Sequence, residues 1–379
     1  MADVAVQGGY NGMYVFGDSI STTTNNTSPY PSATNFYGKR FTNGRVWVEV
    51  LAQRQGLAYN PNNNNSFFGN YSSTLLTTLN NFQPANASNA LVVIWVNNAD
   101  LYYDWSSYGT NLASWTNAMG QSISNHFKIV TNLYSKNIRT LVMPNAVDIT
   151  QVPFVTNPDP LYRNFIRQRC LDYNNLFATA LNRAKTNCPG LMIFVPDFFS
   201  LLTNLVAYPA NYGLTNALLN GLSIDALDNP ALKNLSPNGP GTNYIFWDDL
   251  DPTAMVHMWM ANLAQQMISP AQIASIAMFG DSNRLDLVNV PIGQDGLVLG
   301  CTNMISPWIT NATFTSSTSS QSVFVLTTSL DDTNTVSQGI RPNDGPPMPP
   351  GGGTGSTNPV PATTIQLYSL RFPYVWSWP

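Results

Sequence analysis

Charge is the scarcest property of this chain. Only 9% of its 379 residues are Asp, Glu, Lys or Arg, against about 25% in typical soluble domains. Asn, Ser and Thr do the solubilising instead, as at Asn62-Asn63-Asn64-Asn65. That composition points to a secreted or cell-surface protein. The net charge is −4 and no basic cluster occurs, so nucleic acid is excluded as a natural partner. No apolar run approaches the ~20 residues of a membrane helix. Cysteine is nearly absent too. Cys170, Cys188 and Cys301 show neither a CxxC pair nor metal-ligand spacing, so no metal site is expected. Cys170 and Cys188 are candidates to pair, leaving one thiol over. Histidine is limited to His126 and His257, which leaves few candidates for an imidazole base. No secretory signal precedes Ala2; the expectation is that a signal has been removed and Met1 added.

What is present is a core. Hydrophobic residues make up 44% of the chain, and its length suggests two domains. Met13 to Phe16 reads as a strand running into Gly17-Asp18-Ser19. A strand followed by a glycine turn projects the next side chain beyond the carboxyl end of a sheet, a suitable place for a nucleophile. The same residues also read as a plain polar turn. Helices are expected over residues 45–55, 72–79, 112–134, 161–184 and 252–268. Strands are expected over 90–96, 140–143 and 191–195, the first ending in Asn97-Asn98-Ala99-Asp100. Alternating strands and helices mean a parallel sheet flanked by helices.

After about Pro270 the pattern changes to short period-two strands near 285–290, 297–300, 308–315, 321–327 and 364–372, which read as a small antiparallel β-sandwich. The expected domains are therefore 1–269 and 270–379. The Pro/Gly-rich stretch 342–361 reads as a loose insert, and 372–379 as an aromatic tail open to packing or self-association. A second Phe279-Gly280-Asp281-Ser282 has no apolar strand before it in this reading and is treated as chance.

Three ordered motifs carry a family resemblance: Phe16-Gly17-Asp18-Ser19, then Arg40-Phe41-Thr42-Asn43-Gly44-Arg45-Val46-Trp47-Val48-Glu49, then Phe246-Trp247-Asp248-Asp249-Leu250-Asp251-Pro252-Thr253. Together they resemble the GDSL lipases and esterases of the SGNH hydrolase superfamily over roughly the first 270 residues. The resemblance implies a three-layer α/β/α, flavodoxin-like fold and an acyl- or acetyl-ester hydrolase using Ser19. It implies no cofactor and a small-molecule, lipid or carbohydrate ester as partner. Ser19 stands at the nucleophile position, with Asp18 beside it as a substrate-binding residue. The Ser19 N–H matches the first oxyanion donor. Gly69 fits the first glycine of the second donor loop, and Asn70 replaces the next. Ala99 stands where an asparagine donor is expected; Asn98 would serve through a one-residue bulge, or else it merely ends the strand.

The acid–base segment departs most. Asp248 matches the aspartate, but Asp251 stands in place of the histidine. A carboxylate of pKa near ~4 is a poor base for a serine hydroxyl, although clustering with Asp248 and Asp249 would raise it. Asp251 before Pro252 also reads as a helix N-cap followed by N1. His257 lies about 9 Å further along the same helix and serves as base only if that helix starts late or shifts toward Ser19. His126 reads as a surface or helix-packing residue. The expectation is weak or absent esterase activity. The alternative is a degenerate hydrolase fold serving as a surface binding or structural module.

Overall fold

The computed structural model describes residues 9–23, 34–85, 87–301, 308–326 and 367–372. The Pro/Gly-rich stretch and the tail beyond Phe372 lie outside the described residues. Contacts divide the chain into two units. One holds residues 1–271 with 288–293 and 317–319; the other holds 272–287, 294–316 and 320–379.

The first unit is built on the two apolar runs. Strand β1 (Gly12–Gly17) pairs in parallel with β2 (Ala90–Trp95), and every residue of β2 is buried. A wholly apolar strand suits burial on both faces of a parallel sheet. β3 (Thr140–Val142) and β4 (Met192–Phe194) complete the four-stranded order β1-β2-β3-β4. The free side of β1 is also occupied. Asn65 N–H donates to the Val15 carbonyl at 2.8 Å and Phe67 N–H to the Gly17 carbonyl at 3.2 Å, beside a parallel bridge between Val15 and Asn64. The chain therefore leaves β1 first to one side and then, through β2, to the other. That makes the carboxyl end of β1 a topological switch point, where such sheets bind ligands.

Helices cover the sheet. α1 (Trp47–Arg54) packs on α7 (Ala254–Ile268). α4 (Leu112–Ser135) packs on α2 (Ser72–Thr78), α3 (Asn97–Tyr108) and α5 (Pro160–Asn187). With α6 (Phe198–Ala207) they give a three-layer α/β/α arrangement. Two of these helices depart from the sequence reading. α3 begins where a polar strand end was expected, and α6 follows β4 directly, with the Asp197 carboxylate accepting from Ser200 N–H at its start. The short hairpin β5 (Leu218–Leu219) to β6 (Leu222–Ser223) turns on Asn220 and Gly221, both at positive φ as such two-residue turns require. The proposed disulfide is a further correction. Cys170 lies inside α5 and Cys188 at its C-cap, roughly 27 Å apart along the helix, far beyond disulfide reach. Both are free and buried, as is Cys301.

The second unit is antiparallel. β9 (Asp295–Cys301) pairs with β10 (Ile309–Thr315) and β12 (Leu367–Arg371). A second sheet orders β11 (Ser320–Leu326), β8 (Ser282–Val288) and β7 (Gln272–Phe279). The largely exposed β7 was missed in the sequence, and it precedes the second Phe-Gly-Asp-Ser. There Gly280 and Asp281 form a hairpin turn, with Gly280 at φ +60°, so Ser282 opens the return strand of a hairpin.

Candidate active site

Ser19 opens a single 3-10 turn, Ser19–Ser21, directly beyond β1. Asp18 makes that turn. Its N–H donates to the Trp95 carbonyl at 3.3 Å, and its carboxylate accepts from Ile20 N–H at 3.2 Å. Gly17 is sterically required, since a Cβ there would stand 2.6 Å from that of Ser21. Burial, offset in part by these backbone bonds, pushes the Asp18 carboxyl up to about 7, and the charge on Asp100 adds to the rise.

The segment 246–253 brings the Asp251 carboxyl to this turn. Phe246 bridges Pro252, and Trp247 N–H donates to the Asp251 carbonyl at 2.9 Å, closing a tight loop. Asp248 braces the loop from within, accepting from Leu250 N–H at 3.0 Å and Asp251 N–H at 2.7 Å. Burial lifts Asp248 to about 7. Asp251 is 1% exposed and its Oδ1 has no hydrogen-bond partner among the described residues. Burial, then the charges of Asp248 and Asp18, raise its carboxyl well above 3.8, while the nearby Ser19 hydroxyl favours its charged form. The N-cap reading of Asp251 is corrected. α7 starts at Ala254 with Thr253 at the cap position, and its first free N–H, that of Ala254, goes to Asn43 Oδ1 at 2.8 Å. The hairpin formed by residues 246–252 overrides the local Asp-Pro signal.

The long motif following Ser19 clamps these pieces together. Arg40 and Glu49 form a bidentate ion pair at 2.7 and 2.6 Å, and Glu49 also accepts from Val46 N–H. Gly44 lies against Ala254, where a Cβ would approach the alanine Cβ to 2.6 Å. Trp47 Nε1–H donates to Ser21 Oγ at 3.1 Å, and its indole packs edge-on against Trp95 and Phe198. Trp47 N–H donates to His257 Nδ1 at 3.2 Å. Thus Asn43 caps α7 while His257 caps α1, a reciprocal pair of caps between two packed helices.

That bond holds His257 at the start of α1. The ring is fully buried, its Nε2 has no partner among the described residues, and burial pushes its pKa down to about 3. It does not line the Ser19 cleft. His126 packs inside the helical layer, with Nδ1 at 2.9 Å from the Ser122 carbonyl and its ring against Phe177.

The cleft itself has a volume of about 190 Å³, with Ser19, Asp18, Gly69, Ala99, Tyr102 and Leu250 among its walls. Gly69 sits at φ +75°, while Asn70 behind it ties the loop to β1 through Nδ2–H to the Gly17 carbonyl at 3.1 Å. Asn98 does not face the cleft. Its Oδ1 accepts from Val147 N–H at 3.0 Å, and Ala99 occupies the wall. One turn beyond Ala99 stands Tyr102, which sequence reasoning missed. Burial and the charges of Asp251 and Asp18 raise its phenol well above 10, so it is a neutral donor. Its hydroxyl makes no hydrogen bond among the described residues. The i to i+3 spacing from Ala99 was the available signal. A small apolar chamber of about 30 Å³ adjoins, sharing Ile20, Tyr102 and Leu250 with the cleft and continuing to Trp95, Phe198 and Met260.

Residues 13–264 match the sequence pattern of the GDSL-like Lipase/Acylhydrolase family. The thermolabile hemolysin of Vibrio parahaemolyticus is 23% identical over 275 residues, covering 66% of this chain and 62% of the hemolysin. A GDSL esterase/lipase of Arabidopsis thaliana is 24% identical over 149 residues, 36% of this chain and 40% of the plant protein. The chain thus matches less than two thirds of either relative's length. Among solved structures, the acetylxylan esterase Axe2 of Geobacillus stearothermophilus shows a TM-score of 0.38 at 15% identity, covering 68% of this chain and 93% of Axe2. The extracellular lipase of Streptomyces rimosus shows 0.38 at 14% identity, covering 67% and 99%. With the pattern matched from β1 to α7, the chain belongs to the GDSL-like lipase/acylhydrolase family.

Proposed function

We propose that the protein hydrolyses carboxylic esters through a Ser19 acyl-enzyme, with Asp251 as the general base. The observation that carries this reading is the Asp251 carboxyl group. It is buried against the Ser19 hydroxyl, has an unpartnered oxygen and does no capping. A buried carboxylate with one oxygen unpartnered is costly to keep, so a chemical task is the economical account of it.

Burial answers the objection that carboxylates are weak bases, because desolvation raises the Asp251 pKa well above the usual carboxylate range and with it the basicity of the ionised form. Asp248 holds the loop and adds charge that raises Asp251 further. As Ser19 Oγ attacks the ester carbonyl, its proton passes to Asp251. The tetrahedral oxyanion is received by the Ser19 and Gly69 N–H groups and by the Tyr102 hydroxyl, which takes the place of the missing asparagine amide. Asp251 then returns the proton to the leaving alkoxide, and water repeats the sequence on the acyl-enzyme. The acyl group points into the apolar chamber behind Ile20.

A p-nitrophenyl acetate assay of the protein beside a Ser19→Ala variant tests this. Release of p-nitrophenol that the variant abolishes supports it. Equal rates in both proteins refute it.

A further inference from the structure

A second and larger cavity opens on the other side of Tyr71 and Tyr103, the side chains it shares with the Ser19 cleft. Its volume is about 570 Å³, within the usual range of small-molecule sites. Two features set its chemistry. Tyr71, Tyr103 and Tyr108 stand edge to face along one wall, with centroid separations of 5.6 Å and 6.5 Å. Asp100 and Asp104, one turn apart on α3, form the acidic floor.

The carboxylates differ in their bonding. Asp100 is fully engaged, accepting from Ser72 N–H at 3.0 Å and from the Ser122 hydroxyl at 2.5 Å. Asp104 is only 5% exposed, yet it makes no hydrogen bond and no ion pair among the described residues. Among the described residues, no lysine, arginine or histidine lines this cavity. Burial, with the charge on Asp100, pushes the Asp104 carboxyl up to about 7, as expected of an acid lacking a counter-charge. A neutral polyol would satisfy hydrogen bonds but leave the ionised form of Asp104 without a counter-charge. A cation would compensate it, and tyrosine faces attract soft, weakly hydrated cations in particular.

We propose that this cavity binds an alkylammonium group. Resting on the ester-hydrolase reading above, we further assign it as the subsite for the cationic end of an ester whose carbonyl lies at Ser19. The shared Tyr71 and Tyr103 make the two spaces adjoining, as a substrate occupying both requires.

Calorimetric titration with tetramethylammonium chloride tests the binding claim, using the intact protein and its Asp104→Asn and Ser19→Ala variants. The expected result is saturable binding that weakens about tenfold or more in Asp104→Asn and is unaltered in Ser19→Ala. No saturable binding, or equal affinity in Asp104→Asn, overturns the proposal. So does tighter binding of neutral xylobiose at the same site, read by competition. A folded Asp104→Asn protein is verified by an unchanged circular dichroism spectrum; should it misfold, Tyr108→Ala replaces it, with the same expected weakening. The substrate assignment is read from acetylcholine against its uncharged carbon isostere, 3,3-dimethylbutyl acetate. A cationic preference of about tenfold that falls toward unity in Asp104→Asn supports it. Equal rates overturn it. Failure of both esters with tetramethylammonium binding intact would sink the hydrolase reading and leave the ammonium site standing.

Discussion

Replacing Asp251 by Asn removes the proposed base while keeping its shape. The amide oxygen accepts no proton at neutral pH, so the loss should match that of a general base, about 10²- to 10⁴-fold in kcat. KM should change little, because Asp251 meets the substrate only through the serine proton. The structure adds a second, opposite expectation. The Asp251 carboxyl is 1% exposed and its pKa is raised by burial and by Asp248, so its charged form is disfavoured in the fold. An uncharged amide should therefore leave the protein as stable or more stable above neutral pH. The wild-type rate should rise with pH as Asp251 loses its proton, with a midpoint above the ordinary carboxylate value near ~3.9. Steady-state hydrolysis of p-nitrophenyl acetate across pH, beside thermal melts, reads all three. A variant with wild-type kcat would refute the base assignment. A variant that loses activity only by unfolding would show Asp251 to be structural after all.

Tyr102→Phe deletes the hydroxyl and little else; kcat should fall about 10²-fold, as for loss of one oxyanion donor, with KM and melting temperature held, and an unchanged kcat would remove Tyr102 from the site. His257→Ala leaves Trp47 N–H without an acceptor, costing about 1–3 kcal/mol in denaturant unfolding, while the rate per folded molecule persists; loss of activity in a stable variant would restore His257 as base. Ala99→Asn should raise kcat about tenfold or more by adding an amide donor, and Asp251→His should raise it at neutral pH, with the two gains not additive; no gain from either would show that the cleft is not arranged as in related esterases. Stability should fall as pH rises. The Asp18 carboxyl goes from 3.8 to about 7 on folding, so it favours the fold below the unfolded pKa, and that contribution, roughly 4 kcal/mol at most, is lost as pH climbs through about 7. Melting temperatures that increase steadily between about pH 4 and pH 8 would contradict this sign.

Some of this arrangement was legible in the sequence for physical reasons. The apolar run of β2 admits burial on both faces only, and Met13 to Phe16 leads straight to Ser19. The long motif could be matched but not explained, because its meaning is tertiary. Asn43 accepts from Ala254, 211 residues away, and His257 accepts from Trp47, 210 residues away. Asp251-Pro252 carries a strong local capping signal, and only the Phe246 to Pro252 bridge shows why the helix waits until Ala254. Asn97 and Asn98 looked like a strand terminus since both are polar. They open α3 instead, and that helix sets Ala99 and Tyr102 on the cleft and Asp104 in the neighbouring cavity. Pattern reading registers each residue's polarity; it does not register which buried carboxyl lacks a partner.

The most direct measurement of the central claim is the intact mass of the protein after exposure to an alkyl fluorophosphonate, followed by peptide mapping. A Ser19 nucleophile with an adjacent base should gain one phosphonyl group on Ser19. The adduct should be absent from Ser19→Ala and form more slowly, by about two orders of magnitude, in Asp251→Asn. No adduct in the wild-type protein, or one on another residue, would contradict the account.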